Sequence, residues 1–160
     1  MTEIKDASSP MDFQAVALFT ADHAKVENGK VYVNGGFWDI LNQPSYPTEV
    51  AFSLVAVIKV PARAFLENHR VKIEMVDADE VRLPLKIEGD VRVGAAPYMA
   101  PGEPSTLPLA FELNGVHLER AGDYFFVLSI DGNEISRYRM RAMQLVPVSQ
   151  PDEGEDAQQE

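Results

Sequence analysis

The chain has 160 residues, is 46% hydrophobic and contains no cysteine; this suffices for one domain with a full core and is too little for two of ordinary size. Disulfides and thiolate chemistry are excluded, so any metal site would use histidine or oxygen ligands. A formal net charge of -11 repels phosphate backbones and anionic lipid, so neither nucleic acid nor a membrane is an expected partner, a local basic patch apart.

Residues 1–11 are polar, contain Ser8-Ser9-Pro10 and show no periodicity. They read as a flexible lead-in, not as a basic-then-apolar signal peptide. The domain is expected over residues 12–148. From Asp12, Phe13, Ala15, Ala17 and Phe19 alternate with Gln14, Val16 and Leu18, a strand that continues to an Asn28-Gly29 hairpin turn. The return strand, residues 31–41, is interrupted by Gly35-Gly36, which predicts a bulge or a close backbone approach.

A loop set by Pro44 and Pro47 follows. Phe52, Leu54, Ala56 and Ile58 then alternate with Ser53, Val55 and Val57, so both faces of this strand are covered and it is central. Pro61 stops it, and residues 62–68 hold a helical turn. Val71, Ile73 and Met75 point inward and Lys72 and Glu74 outward, the pattern of a half-exposed antiparallel strand. Asp77, Asp79 and Glu80 turn the chain into one or two strands over residues 81–93, where Pro84 predicts an edge. Residues 94–106, with three prolines and two glycines, form the longest irregular stretch. A strand over residues 107–113 is expected to end in an Asn114-Gly115 turn.

The element that organises the rest spans residues 121–143. Tyr124, Phe126, Leu128 and Ile130 share one face and Phe125, Val127 and Ser129 the other, so this strand is buried on both sides. Asp131-Gly132-Asn133 supplies a tight hairpin. Upstream, the spacing from Leu118 to Tyr124 is that of a tyrosine corner. Residues 149–160 are polar, hold five acids and no aromatics, and predict a disordered acidic tail. The sum is an all-β fold: an antiparallel β-sandwich, immunoglobulin-like and Greek-key, of about eight strands. The longest apolar run, residues 50–58, is far short of the about 20 residues a spanning helix needs, and a cytoplasmic bacterial protein is expected.

Few residues carry chemistry. His23, His69 and His117 share no motif, and there is no G-x-S-x-G elbow, phosphate-cradling glycine loop or H-E-x-x-H. Two acidic turns, Asp77 to Glu80 and Asp131 to Glu134, would bind Ca²⁺ only if the fold brought them to one end; turn chemistry alone explains their residues. Arg137, Arg139 and Arg141 recur at spacing two and share a face, either to grip a carboxylate-rich partner or as a solvated sheet face with acids beside it. Tyr46, Tyr98 and Met99 sit in proline-stiffened loops, where binding residues concentrate; the tyrosines could equally fold back over the core.

Ala21-Asp22-His-Ala24-Lys-Val26-Glu-Asn-Gly29-Lys30, followed by Gly35-Gly36-Phe-Trp38, resembles the opening of an uncharacterised family of small proteins from actinobacteria and related genomes, A-D-x-A-x-V-x-x-G-K then G-G-x-W. The likeness extends through Val60-Pro61, residues 69–76, Gly94-x-x-Pro97 and Gly122-x-Tyr124 to Ile130-Asp131-Gly132, leaving out both tails. It implies fold and no activity. One departure is Asp79-Glu80, where the family pattern often has Asp-Gly. The functional expectation is a non-enzymatic module for binding or assembly with a protein partner, without cofactor or metal, in which a free sheet edge permits a homodimer. The rivals are a metal-dependent hydrolase using Asp22, His23, His69 and the acidic turns, and a virion or particle accessory protein.

Overall fold

The computed structural model describes residues 12–148; the lead-in and the acidic tail lie outside the described residues. Nine strands form two sheets: β1 (Gln14–Glu27), β2 (Lys30–Gly36), β3 (Ile40–Gln43), β4 (Thr48–Val60), β5 (His69–Asp77), β6 (Arg82–Val91), β7 (Ser105–Leu118), β8 (Gly122–Ile130) and β9 (Asn133–Gln144). One sheet has the order β2-β1-β4-β7 and the other β3-β9-β8-β5-β6. With β4, β5, β7, β8 and β9 as strands B, C, E, F and G, this is the immunoglobulin-like sandwich. Every pairing is antiparallel except that of the short β3, which runs parallel to β9.

The core is the inward face of both sheets. Leu54, Ile58, Ile73, Phe126, Leu128 and Met140 are fully buried, and Phe52 bridges the layers edge-on to Phe126 at 5.8 Å and to Trp38 at 5.4 Å. β8 is covered on both faces, as its alternation predicts, with Val127 and Ser129 buried on the second. The tyrosine corner is present: Tyr124 Oη donates to the Arg120 carbonyl at 2.7 Å, tying the arch between β7 and β8 to the first turn of β8. A short 3-10 turn, Ala62–Ala64, follows Pro61, and Pro84 lies in the edge strand β6.

Two sequence expectations are corrected. Residues 31–41 are not one strand: the chain crosses between sheets at Phe37-Trp38-Asp39, ending β2 in one and starting β3 in the other. Asn114-Gly115 does not turn the chain. Gly115 takes φ 66 inside β7, and the register with β4 shifts between Val50 and Phe52, so the pair forms a bulge in one long strand. Residues 81–93 hold one strand, within the one or two expected.

The β1–β2 hairpin is set by Asn28 and Gly29 at φ 51 and 72, the two positive-φ residues of a type I′ turn. β1 passes from β4 to β2 at Ala21, which pairs with both Ser53 and Gly36. Beyond that point Ala24 N–H donates to Ser53 Oγ at 3.0 Å, and Phe19, Ala21, Ala24 and Val55 form a second small core against half-buried Val31 and Ala110. Trp38 closes the main core beside this crossing. Its carbonyl accepts from Thr20 Oγ1 and, at 2.7 Å, from Tyr138 Oη, while its buried indole N–H finds no acceptor among the described residues. Trp38→Phe therefore loses no hydrogen bond. Its cost in denaturant titration is expected at about 1–3 kcal/mol, all of it from packing, because the smaller ring leaves space against Phe52.

Candidate functional site

The predicted binding residues are not brought together. Tyr46 lies between β3 and β4, and Tyr98 and Met99 between β6 and β7, at opposite ends of the sandwich. Tyr46 folds back: it packs on the main core and donates to the Met143 carbonyl at 3.1 Å, and partial burial, with Tyr124 nearby, raises its pKa. Met99 is half-buried and curls onto its own loop, its Sδ accepting from Ala96 N–H at 3.2 Å. Tyr98 alone projects, 90% exposed.

The arginines line the outer face of β9, two of them neutralised locally. Arg137 bonds Glu134 at 2.9 Å and also Glu80, and Arg141 bonds Asp123 at 2.7 Å. Donating to the Glu134 and Glu80 carboxylates raises the Arg137 pKa, and the bond from Arg141 holds Asp123 below its ordinary value. Glu80 stands at φ 61, a conformation in which a glycine would be unstrained, and its carboxylate accepts from Arg137.

The acidic turns do not converge. β5 runs antiparallel to β8, with Val71 opposite Ile130 and Asp77 opposite Tyr124, so Asp77 and Asp131 sit at opposite ends. Asp77 accepts from Asp79 N and Val81 N at 2.9 and 3.0 Å, an acid satisfied by its own turn. The donors of the hydrolase reading are dispersed too. Asp22 and His23 lie on β1, His69 begins β5 in the other sheet, and among the described residues no three or more acidic or histidine side chains could hold a metal.

His69 is bound on both sides. Nδ1 lies 2.7 Å from Asp131 Oδ2 and Nε2 2.9 Å from the Ala64 carbonyl, while Phe13 packs edge-on at 4.9 Å. Both ring nitrogens face acceptors, so the doubly protonated ring satisfies both. Burial pushes the pKa down, but the Asp131 and Ala64 bonds and the charges of Asp131 and Glu67 outweigh it and the net shift is upward. Asp131 is held below its ordinary value, chiefly by the His69 bond. This pins the 3-10 turn to the β8–β9 hairpin.

The feature that sequence reasoning missed is Phe37. It takes φ 65 and is 71% exposed, an uncommon conformation for a bulky residue. Its N–H donates to the Thr20 carbonyl at 2.9 Å, and its ring stacks on Phe19 with centroids 3.8 Å apart. Gly36 gives this packing its room: a Cβ there would meet Val33 Cγ1 at 2.6 Å and Phe19 at 3.3 Å, and Val33 would have to shift. Gly35 likewise admits Asp22, whose carboxylate a Cβ would overlap. The glycine pair was the available signal, a close approach of the backbone to Asp22, Val33 and Phe19, the last of which carries the Phe37 ring.

Beside this patch runs the free edge of β2. The edge strands β6 and β7 carry Pro84 and Pro108, and β3 is four residues long. β2 has seven residues, no proline, and half-exposed Tyr32 and Val33. Prolines and short length guard edges against pairing; β2 has neither guard.

A family model matches residues 16–143, nearly the whole described domain. The chain belongs to DUF6941, a family of unknown function. The match takes in every element of the DUF6941 domain apart from the ends of β1 and β9, and so includes the patch and the β2 edge. No curated protein matches the chain. Among solved structures it is similar to a β-glucosidase from Listeria innocua (11% identity, TM-score 0.43, 84% of this chain and 16% of that one). It is also similar to the alkylpurine DNA glycosylase AlkC of Pseudomonas fluorescens (9%, 0.37, 78% and 30%). A third is an immunoglobulin-like protein from Pseudomonas aeruginosa (12%, 0.35, 85% and 100%). The chain thus spans less than a third of the first two. No helix among the described residues is long and apolar enough to cross a membrane.

Proposed function

We propose that this DUF6941 protein is a non-enzymatic binding or assembly module of the bacterial cytoplasm, and that a protein partner docks an extended segment on the β2 edge beside Phe37. The cysteine-free sequence suits a reducing compartment. The observation that carries the reading is Phe37 itself. A bulky residue at positive φ costs about 1–3 kcal/mol, and stacking on Phe19 returns about 0.5–1.5 kcal/mol. Phe37 is a strained, exposed ring whose fold contribution is near zero or negative, next to the one edge among the described residues that has useful length and no proline. Strand addition supplies affinity through main-chain hydrogen bonds and specificity through flanking side-chain contacts. An accessory role in a larger particle is a special case of the same surface.

Phe37→Gly tests this, because glycine accepts the backbone conformation while the ring is lost. The thermal midpoint is expected to stay within a few degrees of wild type, while proteins co-purifying with tagged full-length chain from its native host drop out. Recovery of the same partners at the same level from both forms refutes the reading.

A further inference from the structure

We propose that the segment docking on the β2 edge is the same edge of a second copy of this chain, paired antiparallel across a two-fold axis at Tyr32. This rests on the reading of β2 as the docking edge. The hairpin fixes which backbone groups are free. In a two-residue I′ hairpin the residues flanking the turn exchange hydrogen bonds, and bonded and non-bonded pairs then alternate. Glu27 and Lys30 flank this turn, and Tyr32 and Asn34 face Lys25 and His23. Lys30, Tyr32 and Asn34 therefore bond inward to β1, and Val31 and Val33 present N–H and C=O groups to the outside.

One register pairs every outward-facing group of the two edges. Val31 meets the second copy's Val33 and Val33 the second copy's Val31, giving four N–H···O=C bonds. Tyr32 faces its own copy at the close, non-hydrogen-bonded position between them, and Lys30 faces Asn34. The next register, centred on Val33, would require Val31 to pair with Gly35, whose φ of 59 is not extended. The permitted register is palindromic in chemistry, with valine on valine, tyrosine on tyrosine and lysine on a neutral amide. No like charges oppose one another, which is what a two-fold interface demands.

Charge selects the same place. The chain carries -11, yet the stretch from Asp22 to Asp39 holds three acids and two lysines. Two copies therefore approach through the hairpin with little of the repulsion that the rest imposes. Lys25, ion-paired with Glu27 at 3.0 Å, also lies 5.5 Å over the Tyr32 ring and holds it at the centre of the edge. A short edge pairing falls at the small end of specific interfaces, below about 1,200 Å², so the dimer is weak and concentration-dependent.

Sedimentation velocity on the full chain over a wide concentration range tests the proposal. Wild type is expected to pass from monomer to dimer, and added salt should strengthen the dimer by screening the acidic bodies. Val33→Pro removes an outward N–H while leaving every bond to β1 in place, and should weaken the dimer at least tenfold. Tyr32→Cys supplies an arm independent of that fold change. In a chain with no other cysteine, oxidation should yield a covalent dimer, since directly opposed residues at a non-hydrogen-bonded pair come close enough to bridge. A wild type that stays monomeric, a dimer indifferent to Val33→Pro, or no cross-link from Tyr32→Cys overturns self-pairing. If wild type is monomeric but Val33→Pro abolishes capture of a different protein, self-pairing falls and the docking edge stands. If neither responds, both fall.

Discussion

Phe126→Ala is expected to destabilise the protein by about 3–5 kcal/mol, the cost of opening a phenylalanine-sized cavity in a packed core. That is a large share of the roughly 5–15 kcal/mol available to a domain of this kind. Phe126 is fully buried on the inner face of β8 and packs against Phe52, which in turn holds Trp38. Removing it therefore empties the point where the two sheets and the crossing segment meet. Its neighbour Phe125 provides the contrast. That ring is half-buried on the outer face, with the Arg137 guanidinium 5.6 Å from its centroid. Phe125→Ala should cost about 1–2 kcal/mol, since a half-exposed ring relinquishes less area and leaves no closed void. Equal losses in urea titration at unchanged m-value would contradict this assignment of inner and outer faces.

That assignment was legible because period-two alternation is a property of the strand itself. The inward set Tyr124, Phe126, Leu128 and Ile130, the central position of β4 and the tyrosine corner all follow from local pattern. What local pattern cannot express is pairing between distant strands. Asn114-Gly115 has the chemistry of a turn, and only the register against Val50 and Phe52 makes it a bulge in a continuous β7. Residues 31–41 alternate as one strand would, but Gly35, Gly36 and the positive φ of Phe37 carry the chain across to the other sheet. Candidate sites suffered more. Spacing put three arginines on one face correctly, yet could not show that Glu80, from a turn 57 residues earlier, reaches Arg137. Tyr46 and Tyr98 look alike in sequence, and only the position of the Met143 carbonyl separates the tyrosine that folds inward from the one that does not.

The His69–Asp131 pair should make stability depend on pH at both ends. For His69 the folded pKa lies above its ordinary 6.5. Its contribution is therefore fully present below about pH 6.5 and is lost as pH rises through the folded value. For Asp131 the folded pKa lies below 3.8, so its contribution is present above that pH and disappears as acid titrates the folded carboxyl. The two together predict a stability plateau between those limits, with a decline on the alkaline side that few other groups can cause. Asp131→Ala should be severe, at about 2–4 kcal/mol. It removes a charge-assisted bond to His69 and the 2.8 Å acceptor of Arg70 N–H, and places alanine at φ 50, which asparagine or glycine tolerates and alanine does not. Asp131→Asn separates these causes: it keeps the turn and a polar acceptor but loses the charge. Denaturant midpoints across the pH range should then show a smaller loss for Asp131→Asn and, above all, a flattened alkaline decline. A decline of unchanged steepness in Asp131→Asn would mean that His69 titrates independently of its carboxylate, and that the pair does not hold the hairpin to the 3-10 turn.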